Sequence, residues 1–442
     1  MLPIRLIREQ TDEVRRSCAL RGVEAPIDEI LEVDRARRAL LSEVEGMRAE
    51  RNQAGREIGA TRDPDERQRL IDAQREVAAR LDELDAAVRE RDEELQRLLL
   101  ELPNVLDESV PEGGEEAGQV LFGGVGDGEP EHTPGRVTVS DAPAPATEEG
   151  RRPHWEIGEE RGLIDFERGT KISGSRFYVL RGAAARLQRA LISWMLDLHR
   201  ERGWSEVYVP FVVREEMLVG SGQLPKFGDN LYRDHEDDVW LIPTAEVPVT
   251  NLYRDEILPL EALPIHHVAY TPCFRRERMS AGRDVRGIKR GHQFDKVELV
   301  KFCEPERSWD ELETLLDEAL EVVRRLGFRY RVVRLAAGDV GAASAMTYDI
   351  EVWAPGGEEW LEVSSCSNFL DYQARRANLR YRDAEGRVRH MHTLNGSGLA
   401  LPRTLAALFE QYERPDGIEV PEVLRPYLGG AALIEDEPQP GS

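Results

Sequence analysis

Cysteine is scarce in this 442-residue chain. The four residues, Cys18, Cys273, Cys303 and Cys366, lie far apart and form no Cys-x-x-Cys pair. A disulfide framework or a zinc finger therefore has no basis, and free thiols in a reducing compartment are expected. Long apolar runs are also missing. The opening Met1-Leu2-Pro3-Ile4-Arg5 has no apolar core of signal-peptide length, and no later run approaches a membrane span. No membrane association and a cytoplasmic protein are expected. Lysine supplies only five of the 59 basic residues (171, 226, 289, 296 and 301). Positive charge is in deficit overall, with a formal net charge of −25, so nonspecific coating of nucleic acid is excluded. A nucleic-acid partner would have to meet a local basic surface. The glycine-rich stretch Gly123-Gly124-Val125-Gly126-Asp127-Gly128 has no Gly-Lys-Ser/Thr ending, which rules out a phosphate-binding P-loop.

One basic surface is concentrated in the chain. Between Phe274 and Lys301 lie Arg275, Arg276, Arg283, Arg286, Lys289 and Arg290. Val268 to Phe274 and Val297 to Phe302 read as strands, and the middle carries Gly282 and Gly287 without a helical apolar stripe. The unit is expected to be a hairpin whose long connection offers guanidinium forks to a polyanion. A solvated charged hairpin is the plainer alternative.

Residues 1–27 suggest a small helical entry. From Ile30 an alternating three–four spacing sets in through Val33, Arg37, Leu40, Val44, Met47, Arg51, Ala54 and Ile58. Gly59-Ala60-Thr61-Arg62-Asp63-Pro64 interrupts it, and Leu70, Gln74, Val77, Leu81, Leu84, Val88, Arg91, Leu95, Leu98 and Leu102 resume it. That is a heptad seam, and the turn between two similar runs predicts an antiparallel coiled-coil hairpin over about 28–102. Such an arm holds no pocket. Dimerisation and RNA binding fit it equally well.

Residues 111–153 are rich in Gly, Pro, Asp and Glu and read as a linker with a short strand at most. It separates an N-terminal domain, 1–110, from a compact domain, 154–430. The latter holds an amphipathic helix over 186–202, a strand at Val207-Tyr208-Val209-Pro210, a helix from Trp309 to Leu326, and strands at Tyr330–Leu335, Tyr348–Trp353 and Trp360–Asn368. Strands and helices mix without β-α-β alternation, so the fold class is α+β with an antiparallel sheet flanked by helices. The acidic tail, 431–442, reads as disordered.

Taken singly, the polar residues of this domain carry little. Glu246 or Glu298 alone is an ordinary strand carboxylate, Phe294 a core ring, Ser365 or Ser397 a capping hydroxyl, and Arg403 a surface helix residue. Their joint occurrence changes the reading. Phe274-Arg275-Arg276-Glu277 followed by His292-Gln293-Phe294-Asp295-Lys296-Val297-Glu298 resembles motif 2 of the class II aminoacyl-tRNA synthetases. Thr244-Ala245-Glu246, Glu362-Val363-Ser364-Ser365-Cys366-Ser367-Asn368, Asn395-Gly396-Ser397-Gly398-Leu399-Ala400 and Val420 to Tyr427 narrow the resemblance to the seryl-tRNA synthetases of bacterial type. With the N-terminal hairpin it covers nearly the whole chain.

The resemblance implies activation of L-serine by ATP to seryl-adenylate and transfer of the seryl group to tRNA(Ser), and to tRNA(Sec) where that exists. It implies Arg275 and Arg403 as the catalytic arginines. Arg276, Glu277, Arg290, Phe294, Glu362, Val363, Ser364 and Ser365 would complete the ATP site, with Glu362 and Ser365 as Mg2+ ligands. Thr244, Ala245, Glu246, Glu298 and Ser397 would bind serine. It further implies a homodimer formed through the helix–strand of 186–210 and an arm that grips the tRNA. Three positions depart from the family pattern: Arg278-Met279 stand where small residues are usual, and Pro402 precedes Arg403 where glycine is also common. A noncatalytic RNA- or protein-binding relative and an amino acid:carrier-protein ligase are the competing readings; the latter type lacks the arm.

Overall fold

The computed structural model describes residues 1–128, 131–132, 150–278 and 286–438. The chain divides into two compact units, Met1–Pro103 and Asn104–Ser442. In the first, short helices α1 (Ile4–Glu9) and α2 (Thr11–Leu20) precede the long α3 (Ile27–Ala60) and α4 (Pro64–Glu101). At 1.5 Å per residue, α3 and α4 span about 51 and 57 Å. The glycine at 59 does not end α3, which runs on through Ala60. The break is made by Asp63, whose carboxylate accepts the amides of Asp65 and Glu66 at 2.9 and 3.1 Å, with Pro64 as the first helical residue. Val44 packs with Leu81, Leu84 and Val88, the seam read from the spacing. Arg37 is also on the seam and survives there by pairing with Asp92 of the other helix. Arg48–Asp85 and Arg80–Glu43 add cross-helix pairs at 3.0 and 3.3 Å.

The second unit is built on a nine-stranded sheet. Its strands are β1 (Gln119–Val125), β2 (Glu131–His132), β3 (Ser205–Glu206), β4 (Ile265–Phe274), β5 (Gln293–Cys303), β6 (Arg329–Arg334), β7 (Met346–Ala354), β8 (Glu359–Asn368) and β9 (His392–Ala400). Their spatial order is β2-β1-β6-β7-β8-β9-β5-β4-β3. Every pairing is antiparallel except β4 with β3, where His267 lies opposite Ser205. Helices α5 (His154–Glu160), α6 (Gly182–Glu201), α7 (Glu246–Thr250), α8 (Ser308–Arg325) and α9 (Leu401–Tyr412) surround it. Helices α6 and α8 cover one face. A Cβ at Gly396 would press on Leu315 of α8, and one at Gly398 on His199 of α6, so the small residues of β9 admit both helices. No helix among the described residues is long and apolar enough to cross a membrane.

Three sequence expectations change. The supposed linker contributes β1, seven residues paired with β6 inside the main sheet. Its Gly123 and Gly124 are packing residues, since side chains there would meet the Tyr330 carbonyl and ring. Residues 133–149 of that stretch lie outside the described residues. The strand expected at Val207–Pro210 pairs slightly earlier, at Ser205–Glu206. The tail is ordered through 438. Leu433–Ile434 pairs with Gly417–Glu419, Asp436 meets Arg161 at 2.6 Å, and the Glu437 carboxylate accepts the Ala183 amide at the start of α6 at 2.7 Å. Local composition could not reveal Arg161 and Ala183 as partners, because both are more than two hundred residues away in sequence. Residues 439–442, and 279–285 with Arg283 and Met279, lie outside the described residues.

Candidate active site

The uncovered face of the sheet forms the floor of a cavity of about 410 Å³. Period two on β5 sends Phe294, Lys296 and Glu298 to that face together. The neighbouring strands reach it through two β-bulges. Opposite Val297 and Glu298 the register of β9 skips Gly398. Between Glu351 and Ile350 the register of β8 skips Val363. Three residues apart in a regular strand, Glu362 and Ser365 would point to opposite faces; the extra residue brings both to the cavity.

One end of the cavity is acidic. Glu298 is 2% exposed, accepts the Thr244 hydroxyl at 3.1 Å and pairs with Lys296. Glu246, at the start of α7, faces it. Gln373 donates to the Glu246 carboxylate at 2.6 Å and to the Ser221 carbonyl at 2.9 Å, while accepting the Thr393 hydroxyl at 2.7 Å. Both polar ends of Gln373 are thus committed, and the carboxylate of Glu246 is held in one orientation. Burial, and then the charge of Glu298, push Glu246 up to about 7, with Lys296 pulling the other way. Asn395 and Ser397 of β9 close this end. Two buried carboxylates with hydroxyl and amide neighbours suit a ligand with several donors, such as an ammonium and a hydroxyl.

The other end is rich in arginine. Arg275 follows β4, donates through Nε to the Pro243 carbonyl at 3.2 Å, and lies 5.1 Å over the ring of Phe294. Arg403, in the first turn of α9, donates to both the carboxylate and the carbonyl of Glu362 at 2.8 Å. Burial works to raise Glu362, but Arg403, with Arg275 and Lys296 beyond it, outweighs burial and holds the carboxyl below its usual range. Its neighbour Asp349 is pushed well above the usual range by burial and by the charge of Glu362, and Ser365 donates its hydroxyl to Asp349. Glu277 adopts a left-handed backbone at φ +50°, and Arg290 lies 4.0 Å from its carboxylate. A non-glycine residue held there marks a turn fixed by its surroundings.

The returning limb of the basic hairpin is anchored from below. Fully buried His154 lies 2.7 Å from Glu410 through Nδ1, and its Nε2 accepts the Ile288 amide at 3.2 Å. The ring proton therefore sits on Nδ1 and is donated to Glu410. The other oxygen of Glu410 accepts the amides of Gly356 and Gly357. Gly287 has φ +73°, and a Cβ there would collide with the imidazole of His154. Lys289 pairs with Glu359.

Most of the residues singled out in the sequence converge here: Thr244, Glu246, Arg275, Glu277, Arg290, Phe294, Glu298, Glu362, Ser365, Ser397 and Arg403 all border the cavity. Four do not border it with their side chains. Ala245 is packed in the core, Val363 is the buried bulge residue, and Ser364 donates to the Ser397 carbonyl at 2.7 Å. Arg276 turns away, donating to the Leu231 carbonyl at 2.8 Å and lying 4.4 Å over the ring of Tyr232. Lys296, Asn395, Asp349, Gln373 and His154 were missed. Lys296 had a signal, because it shares strand parity with Phe294 and Glu298.

Comparison with known proteins agrees with this geometry. Residues 229–412 match the tRNA synthetase class II core domain (G, H, P, S and T), and residues 1–106 match the seryl-tRNA synthetase N-terminal domain. A serine--tRNA ligase of Thermomicrobium roseum is 57% identical over 99% of this chain and 96% of its own length. One of Chloroflexus aurantiacus is 55% identical over 98% of this chain and all of its own. The crystal structure of seryl-tRNA synthetase from Pyrococcus horikoshii complexed with ATP superposes with a TM-score of 0.89 at 35% identity, covering 99% of this chain and 100% of that one. A full-length match at this identity, joined to a cavity with one acidic and one arginine-rich end, leaves one conclusion: the chain belongs to the seryl-tRNA synthetase family.

Proposed function

We propose that the acidic end takes serine and the arginine-rich end takes ATP, so that the serine–tRNA ligase reaction of the family runs across the floor formed by β5. Glu246 and Glu298 receive the ammonium and hydroxyl of serine, with Thr244 and Ser397 beside them. Its carboxylate then points along β5 toward Arg275. A carboxylate oxygen attacks the α-phosphorus of ATP, the new O–P bond forms, and pyrophosphate leaves. Charge grows on the α-phosphate oxygens as this happens, and fixed guanidinium donors at that position lower the barrier. Arg275 is set for this by its bond to the Pro243 carbonyl and its packing on Phe294, which keep it aimed. Adenine stacks on Phe294, near Glu277; Arg290 and Arg403 meet the outer phosphates and the nucleotide. In the second step a terminal ribose hydroxyl of tRNA(Ser), or of tRNA(Sec) where present, attacks the seryl carbonyl, and AMP leaves.

Glu362 and Ser365 fit Mg2+ by donor chemistry, being hard oxygens on one wall of the cavity. Among the described residues no group of three or more His, Cys, Asp or Glu side chains is arranged for a metal, so the ion would take much of its shell from phosphates and water. Bound there, Mg2+ would neutralise phosphate charge. The Ser365 hydroxyl is turned to Asp349, which leaves its lone pairs for the ion.

The coiled-coil hairpin grips the long variable arm of the tRNA, a reading supported by the match of residues 1–106 to the family's N-terminal domain. A homodimer through α6 and β3 is supported by Tyr208, just after the edge strand β3, whose ring is 84% exposed. Light scattering on the purified protein checks it. The cell compartment is the cytoplasm, where the tRNA is found. The observation that carries the assignment is the joining of two buried carboxylates and two arginines in one cavity. Pyrophosphate exchange with each of the twenty amino acids tests it: exchange should be serine-dependent, and equal exchange with alanine or threonine would refute it.

A further inference from the structure

Lys296 is a charged strand residue facing the acidic end that the reaction outlined above does not use. It is 8% exposed, pairs with Glu298 on its own strand, and borders the cavity between Glu298 and the arginine-rich end. Burying two facing carboxylates without a cation makes one of them keep a proton. A protonated carboxyl is a donor at one oxygen, so it cannot accept from both the ammonium and the hydroxyl of serine. Once Glu246 is ionised, Glu246, Glu298 and Lys296 together carry a single negative charge, which one substrate ammonium neutralises.

We propose that Lys296 is a specificity-determining positioning residue of the serine site, keeping Glu246 and Glu298 available together as acceptors. The proposal rests on the assignment of those two carboxylates to serine. The groups around it are few. Lys296 and Glu298 act on Glu246 from β5, with neutral Gln373 and Asn395 on its other sides. Lys296 in turn acts on Glu362 of β8 and on the buried Cys273 of β4. Glu362 keeps Arg403 in contact whether or not Lys296 is present. Losing the ammonium therefore falls on the serine end.

The test is the pH profile of kcat/KM for serine in pyrophosphate exchange, from pH 6 to 9, for the native protein, Lys296→Met and Lys296→Arg. In the native protein the acid limb lies near the position of Glu246, about 7. In Lys296→Met it moves up by about one pH unit or more, the preference for serine over alanine drops by about tenfold at pH 7, and both recover toward pH 9. KM for ATP stays within about twofold, and Lys296→Arg keeps the native profile. An unmoved limb, with activity lowered equally at every pH, overturns the proposal. Calorimetry on the native protein gives a second measure that needs no variant. Proton release on binding serine should be substantial at pH 7 and fall toward zero by pH 8; release persisting at pH 8 means the pair shares a proton despite the lysine and overturns the proposal. Glu246→Gln separates the two levels: unchanged serine binding there removes the carboxylate assignment and the role of Lys296 with it, whereas lost serine binding there beside an unmoved limb in Lys296→Met removes the role of Lys296 alone.

Discussion

Replacing Glu246 by glutamine should stabilise the protein while abolishing its use of serine. Burial and the charge of Glu298 push the Glu246 carboxyl up to about 7, against 4.5 for an ordinary glutamate. Between those two values the folded chain keeps a proton that the unfolded chain has released. Stability contributed by this group therefore falls as pH rises from 4.5 and is fully lost above 7. At about 1.4 kcal/mol per pH unit, the penalty in place at pH 8 is about 3 kcal/mol. Glutamine cannot ionise, and its carbonyl can still accept the bond that Gln373 now makes to Glu246 at 2.6 Å. Native and variant proteins should thus be similar near pH 5, and the variant more stable at pH 8 by up to about 3 kcal/mol. Urea unfolding followed by tryptophan fluorescence reads this cleanly. All seven tryptophans lie at residue 155 or beyond, so the signal comes from the unit that holds Glu246 and is silent on the hairpin. Serine should raise the native protein toward the variant at pH 8, because its ammonium supplies the missing positive charge, and should leave the variant unmoved. Stability curves that run parallel from pH 5 to 8 would refute the argument, for they would mean that the folded Glu246 titrates as it does in the unfolded chain.

Arg275→Ala should lower serine-dependent pyrophosphate exchange by a hundredfold or more, roughly the cost of deleting one preorganised donor to a developing anion, whereas Arg37→Ala and Arg51→Ala in the hairpin should leave exchange within about twofold. Excising the outer part of the hairpin, residues 45–80, should keep exchange and lose tRNA charging; robust charging would argue against the arm's role. Gly287→Ala puts a Cβ against His154 at φ +73°. It should destabilise the fold by about 1–3 kcal/mol and raise KM for ATP more than KM for serine, checked by thermal unfolding and by exchange kinetics at varied ATP.

What the sequence could disclose follows the range over which each constraint acts. The seam of α3 and α4 is a local periodicity, so even Arg37 among the apolar residues was legible as a seam position; its partner Asp92 was not, because pairing depends on which helix faces lie opposite. The strand β5 was legible by alternation, and with it the parity of Phe294, Lys296 and Glu298. Glu362 and Ser365 are different. Strand parity alone would send them to opposite faces, and only the bulge at Val363, visible in the register against β7, brings both to the cavity. The motif resemblance named them without that reason, and it named Val363 and Ser364 alongside them, although those side chains are buried. The same limit hid β1, whose glycines read as linker until Tyr330 of β6 is laid against them. It also hid the tail, whose acidic residues are held by Arg161 and by the start of α6. His154 and Glu410, separated by 256 positions, carry no local pattern at all, yet their contact fixes the limb that bears Lys289 and Arg290. Residues that border the cavity sit in contiguous motifs because one strand or turn presents several of them; residues that aim those motifs are recruited from wherever the fold brings a partner. A sequence read alone therefore recovers most of the lining of such a cavity and misses the groups that hold it in place.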